Sequence, residues 1–231
     1  MSAEKFDALY HRALQRKGGE EQLAALVTSP LPQNELLSLG DDRVLSAFTK
    51  KVFQSGFVWR VVENKWLAFE ELFFDFNIEK VLLMPDEMLE KKATDPAIIR
   101  NLRKVMSIRD NAMMLNTIAQ EHGSFVQFAS GFTQGNIIEL WAYLKRMGAR
   151  LGGNTGPYAL RALGIDTYLL TRDVEGYFRQ HKLIDGGLTT KRSLETINNQ
   201  FNQWQQESGL KYQELSQILA LSCGDNSVQS S

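Results

Sequence analysis

Apolar residues recur at spacings of three and four along most of this chain, and runs that alternate apolar with polar are scarce. An α-helix brings positions three and four apart onto one face, whereas a half-buried strand needs a period of two. The stripe Leu194, Ile197, Phe201 and Trp204 is one instance. The pattern predicts an all-α protein, and only five prolines interrupt it. With 231 residues, 43% of them apolar, the chain can build one large core or two small lobes.

Glycine, proline and capping residues punctuate the pattern. A helix over 5–16 stops at Gly18-Gly19, and Pro30 and Pro32 mark a loop. Asp41-Asp42 cap a helix to about Phe53, Gly56 interrupts, and a helix follows over 57–73. Asn77 and Asp86 start two short helices around Pro85. Asp95-Pro96 opens a segment that becomes a long helix to about Glu121, and Ser124 caps the next. Further helices are predicted over 136–147, 172–180, 190–207 and 211–222, with a glycine turn and helix within 151–164. Short loops favour one helical domain over 1–222 with a cleft between two lobes, followed by a disordered polar tail over 223–231.

Cys223 is the only cysteine, so neither a disulfide nor a cysteine-based zinc site can form within the chain. The N-terminus lacks the apolar core of a signal peptide, and no apolar run reaches the ~20 residues of a membrane span. The expectation is a cytoplasmic protein that needs no membrane. The net charge of −1 does not mark a nucleic-acid binder. Charge is uneven, however: residues 96–161 hold eight Lys and Arg against three acids. That excess suits either a phosphate-facing surface or a solvated helix face.

Two motifs carry chemistry. Leu151-Gly152-Gly153-Asn154-Thr155-Gly156-Pro157 joins two helices, with Lys145, Arg146 and Arg150 just before it. Glycines allow close backbone approach, and a helix N-terminus offers N–H groups to an anion such as a DNA phosphate. The turn resembles the loop of helix-hairpin-helix DNA glycosylases, with Gly152 in place of a proline and Thr155 in place of a glycine; the hairpin motif spans about 145–164. The second motif, Phe53-Gln54-Ser55-Gly56-Phe57-Val58-Trp59, sits at a break between helices.

That second motif, Gln-x-Gly-x-x-Trp, resembles the DNA-3-methyladenine glycosylase I family. So do Ile98-Ile99-Arg100-Asn101-Leu102-Arg103-Lys104-Val105, continuing to Asn111-Ala112, and Gly148-Ala149-Arg150-Leu151-Gly152-Gly153-Asn154-Thr155. The three blocks fall in the family's order over about 42–176. The resemblance implies a helix-hairpin-helix glycosylase fold and excision of an alkylated purine, most of all 3-methyladenine, from double-stranded DNA. It assigns Trp59 to stacking on the flipped base, which suits a cationic lesion against an indole face. It assigns Gln54, Ser55, Gly56 and Phe57 to a wedge, with Phe57 intercalating. Tyr10 faintly matches a pocket tyrosine. Gly152, Gly153, Asn154, Thr155 and Gly156 would hold DNA phosphate with Lys145, Arg146 and Arg150.

The chain also departs from the family. Paired Cys and His that bind zinc in its best-known members are missing, and His11, His122 and His181 are scattered; no metal and no cofactor are expected. Lys51 stands where the family has a pocket glutamate. It points outward, or the substrate is not a cation, or another acid serves. Asp173, with Glu175 behind it, occupies the place of the superfamily's catalytic aspartate, and could orient water or stabilise charge on the sugar. Pro157 and Tyr158 stand where bifunctional members carry a lysine nucleophile, so the resemblance implies a monofunctional glycosylase without lyase activity; a monomer is expected. The alternatives are a catalytically inactive lesion-binding module of the same fold and an all-α interaction scaffold.

Overall fold

The computed structural model describes residues 4–133 and 135–224, which are helical or lie in turns and loops, with no strand among them. Fifteen α-helices are present among the described residues, numbered below in chain order, and they fall into two compact units. None of them is long and apolar enough to cross a membrane.

The first unit takes residues 4–31, 135–138 and 164–224. It holds α1 (Phe6–Lys17) and α2 (Glu20–Ala24), then α13 (Arg172–Gln180), α14 (Lys191–Ser208) and α15 (Tyr212–Ser222). α1 ends at Gly18, whose φ of +89° suits a residue without Cβ. The core is aromatic. Tyr168 lies parallel to Phe201 at 4.2 Å between ring centroids, and Trp204, Tyr177, Phe178 and Tyr212 surround them. Two polar knots tie this unit: in the first, the Asp166 carboxylate accepts the first N–H groups of α15, from Tyr212 at 3.2 Å and Gln213 at 2.9 Å. Glu4 is a second knot. Its carboxylate accepts the Arg12 guanidinium and the Tyr177 hydroxyl, and its carbonyl accepts the Trp204 indole N–H at 3.0 Å.

The second unit takes residues 32–133 and 139–163. It holds α3 (Gln33–Leu37), α4 (Asp41–Gln54), α5 (Trp59–Asn64), α6 (Trp66–Leu72), α7 (Ile78–Leu82), α8 (Asp86–Ala93), α9 (Leu102–His122) and α10 (Phe125–Ser130). α11 (Ile137–Met147), apart from its first two residues, and α12 (Thr155–Ala162) complete it. α4 is the central element. Val44, Leu45, Phe48, Val52 and Phe53 are buried on it, and it packs against α9 and α12. Behind it Trp66, Phe69, Phe73 and Phe76 form a slipped aromatic stack with interplanar angles of 8–21° between neighbours.

Several expectations shift in detail. The helix expected over 57–73 is broken at Lys65 into α5 and α6. Asp41 does not cap its own helix; its carboxylate accepts the Phe125 N–H at 2.9 Å and so caps α10, beside Ser124. Burial raises the Asp41 pKa, with the bond from Phe125 opposing that rise. α2 and α3 are each a single short turn, too brief to show a periodicity. Of the tail expected over 223–231, residues 225–231 lie outside the described residues, whereas the Gly224 carbonyl accepts from Arg16.

Candidate nucleic-acid interface

The C-terminal end of α4 decides what the Gln54–Trp59 segment can present. Ser55 leaves the helix with extended backbone, and Gly56 turns with φ +68° and nothing within 4 Å of where a Cβ would lie. Ser55, Gly56, Phe57 and Val58 are exposed, with Phe57 at 45%. The turn is held from outside. The Lys104 ammonium donates to the carbonyls of Phe53 at 3.2 Å and Ser55 at 2.8 Å, the acceptors that a helix end leaves unpaired. Asn101 caps α9 by accepting the Lys104 N–H at 3.1 Å, which fixes where that lysine starts. Burial lowers the Lys104 pKa, and the nearby Arg150 charge lowers it further.

Gln54 is placed differently from the rest of the expected wedge. It is 2% exposed. Its carboxamide accepts from the Lys51 ammonium at 2.8 Å and donates to Glu63 at 2.7 Å. A side chain so buried and doubly bonded supports the exposed turn from beneath and is not itself presented on the surface. Glu63, which the sequence did not single out, also accepts from Lys50 at 3.0 Å.

Trp59 opens α5 and is 50% exposed. Tyr158 of α12 meets it edge-on, with centroids 6.0 Å apart and planes at 87°. The indole thus borders the helix that follows the glycine turn. Lys51 does not point outward: its Nζ lies 4.6 Å from the centre of the Trp59 ring, at cation–π range. Burial lowers the Lys51 pKa, the Glu63 charge opposes this, and the Lys50 charge adds to it. Lys51 also lines a cleft of about 350 Å³ with Arg43, Ser46, Lys50, Glu63 and Leu163.

The glycine turn is rigidly anchored. Asn111, wholly buried in α9, accepts the Ala149 N–H at 2.8 Å and donates to the Ala149 carbonyl at 3.1 Å. Arg150 then takes a left-handed φ of +63°, and Gly153 takes +61°. A Cβ at Gly156 would lie 2.7 Å from the Leu151 carbonyl oxygen, so only glycine fits where α12 enters. The N–H of Gly156 closes the turn onto Leu151 at 3.1 Å, and that of Thr155 reaches Gly152 at 3.4 Å. Gly153, Asn154, Lys145, Arg146 and Arg150 are exposed around it.

The remaining expected site residues belong to the first unit. Tyr10 stacks on Phe6 at 5.7 Å and lines a groove of about 470 Å³ with Asp7, Leu23, Glu207 and Glu214. Asp173 lies in the first turn of α13, which Thr171 caps by accepting the Val174 N–H at 3.3 Å. Its carboxylate lies so close to Gly224 that a Cβ there would clash with it. Glu175 pairs with Arg179 one turn on at 2.7 Å. Among the described residues no group of His, Cys, Asp and Glu could hold a metal ion. These described residues therefore do not fit zinc.

The family model for methyladenine glycosylases matches residues 38–155, just over half of the chain and the stretch that carries α4, the exposed turn, Trp59 and the hairpin. Among solved structures, the chain is similar to 3-methyladenine DNA glycosylase I from Staphylococcus aureus. They share 22% identity and a TM-score of 0.51, over 66% of this chain and 91% of that one. It is also similar to the 8-oxoguanine glycosylase/lyase of Methanocaldococcus jannaschii, solved with DNA containing 8-oxoguanine. There the identity is 16% and the TM-score 0.53, over 92% and 95% of the two chains. Those likenesses show a helix-hairpin-helix glycosylase fold. The family match over α4, the exposed turn, Trp59 and the glycine turn shows that this chain belongs to the methyladenine glycosylase family and is a DNA glycosylase for alkylated bases.

Proposed function

We propose that the chain hydrolyses the N-glycosidic bond of an alkylated purine swung out of duplex DNA, 3-methyladenine among its substrates, without forming a Schiff base. The observation that carries this reading is the half-exposed Trp59, edged by Tyr158 from the helix behind the hairpin. Phosphates dock on the exposed hairpin residues and on Lys145, Arg146 and Arg150. Phe57 enters the stack as the base leaves, and the indole receives the flipped ring. Water attacks the sugar, oriented by Asp173, while the positive charge of an alkylated base makes it a good leaving group. Pro157 and Tyr158 put no amine directly after the turn, which supports hydrolysis over lyase chemistry.

The test is base release from methylated duplex DNA. Wild type releases 3-methyladenine, Trp59→Ala loses most of that activity, Asp173→Asn loses turnover more than binding, and borohydride traps no covalent complex. No release by wild type, with Trp59→Ala indistinguishable from it, would refute the reading. Lys51 over the indole favours a second reading, a lesion-binding module without turnover. Tight binding to abasic-analogue DNA with no base released would select it.

A further inference from the structure

The ammonium over Trp59 bears on which bases the site accepts, given the reading above that Trp59 receives the flipped ring. Lys51 is held, not free to swing away: its Nζ donates to Gln54 at 2.8 Å, and Gln54 is buried and tied in turn to Glu63. From there Nζ sits 4.6 Å from the indole centre. The one carboxylate in the cluster already serves two donors, Lys50 at 3.0 Å and Gln54 at 2.7 Å. Two lysines thus stand against one glutamate, and that glutamate is half-exposed and shared. A cationic base on the indole would meet a net excess of like charge in a partly dry site. A neutral base escapes that repulsion. Of the ammonium's three donors one goes to Gln54, so a donor remains for an acceptor on the base edge.

We infer that Lys51, positioned by the Gln54–Glu63 clamp, sets the charge preference of the base site, favouring neutral alkylated purines with an acceptor edge over cationic ones such as 3-methyladenine. Excision of the cation then proceeds against this preference and not because of it.

The test compares two nucleosides that differ in where one methyl sits: N7-methylguanosine, a cation in mildly acidic buffer, and neutral O6-methylguanosine. Binding to the full chain is read by quenching of tryptophan fluorescence, with Trp59→Phe as the control for the signal. Wild type binds the neutral nucleoside more tightly by about tenfold or more. Lys51→Glu reverses the order, and Lys51→Met, which keeps the helix face apolar, falls between them. The same preference in wild type and Lys51→Glu, or no quenching by either nucleoside in any of the three proteins, would overturn the inference. Base release from methylated DNA, measured in parallel, separates the two claims. A wild type that shows the preference but releases no base leaves the inference standing and sinks the hydrolytic reading alone.

Discussion

Asn111 offers the sharpest test of how the hairpin is held. Its carboxamide is the partner of both the N–H and the C=O of Ala149, at 2.8 and 3.1 Å, and it is wholly buried. Asn111→Ala leaves both backbone groups without a protein partner. An orphaned buried group costs about 1–3 kcal/mol. Ala149 is only partly buried, so water recovers some of that, and the sum comes to about 2–4 kcal/mol. Asn111→Asp is the control for shape: it still accepts from the N–H but sets a carboxylate oxygen against the Ala149 carbonyl, so it too is destabilised. Urea unfolding gives the stability, and the midpoint should fall by about 1 M or more with little change in slope. Affinity for duplex DNA should fall as well, because the bond pair fixes the backbone just ahead of Arg150 and the exposed turn. A stability within about 0.5 kcal/mol of wild type, or a destabilised variant that binds DNA as before, would refute the argument.

Lys104→Met removes the donor to the Phe53 and Ser55 carbonyls; base release should slow about tenfold while affinity for undamaged DNA changes little, since charged hydrogen bonds of this kind contribute about 1.5–3 kcal/mol. Gly156→Ala drives a Cβ to within 2.7 Å of the Leu151 carbonyl oxygen, and thermal unfolding should show about 1–3 kcal/mol lost to overpacking. Acid stability should depend on Glu4, whose pKa the Arg12 guanidinium lowers from its ordinary 4.5. A carboxylate so depressed stabilises the fold above the unfolded pKa, and that contribution fades as pH falls through the lower, folded value. Glu4→Gln should therefore be less stable than wild type at neutral pH, with the gap closing in acid. An equal gap at both ends would contradict the assignment.

What the sequence made legible was local. Helix α13 falls over 172–180 as its pattern implied, and the glycine turn sits between the helices that its punctuation implies. The break at Gly56 was legible too, whereas the exposure of Trp59 followed only from the resemblance. What stayed hidden depends on partners far apart in the chain. Asn111 and Ala149 are 38 residues apart, and no periodicity links them. Gln54 looked like part of an exposed turn because its neighbours are, yet two charged partners hold it inside. Asp41 has the residue type of a cap, but the N–H that it caps belongs to α10. Three successive left-handed residues, Phe74, Asp75 and Phe76, contain no glycine to betray them. They persist because Phe73 and Phe76 are locked into the aromatic stack and Arg43 donates to the Asp75 carbonyl.

The basic excess over 96–161 illustrates the same limit and yields a number. Sequence shows eight cations there, but their positions divide them. Lys104 spends its donors on the Phe53 and Ser55 carbonyls. Arg109 donates to the Met84 carbonyl at 2.9 Å and pairs with Asp86, and Arg161 is partly buried. Lys65 and Lys92, outside the segment, donate to carbonyls of Pro96, Ala97 and Leu72 in the same way. These cations satisfy backbone oxygens that short helices and irregular turns leave unpaired. Arg100, Arg103, Lys145, Arg146 and Arg150 remain exposed. If those five meet phosphates, the logarithm of DNA affinity should fall against the logarithm of salt with a slope of about −4 to −5. All eight would give about −7. A slope near that steeper value would mean that Lys104 and Arg109 leave their carbonyls on binding, and the account of how they hold the exposed turn and α9 would fail with it.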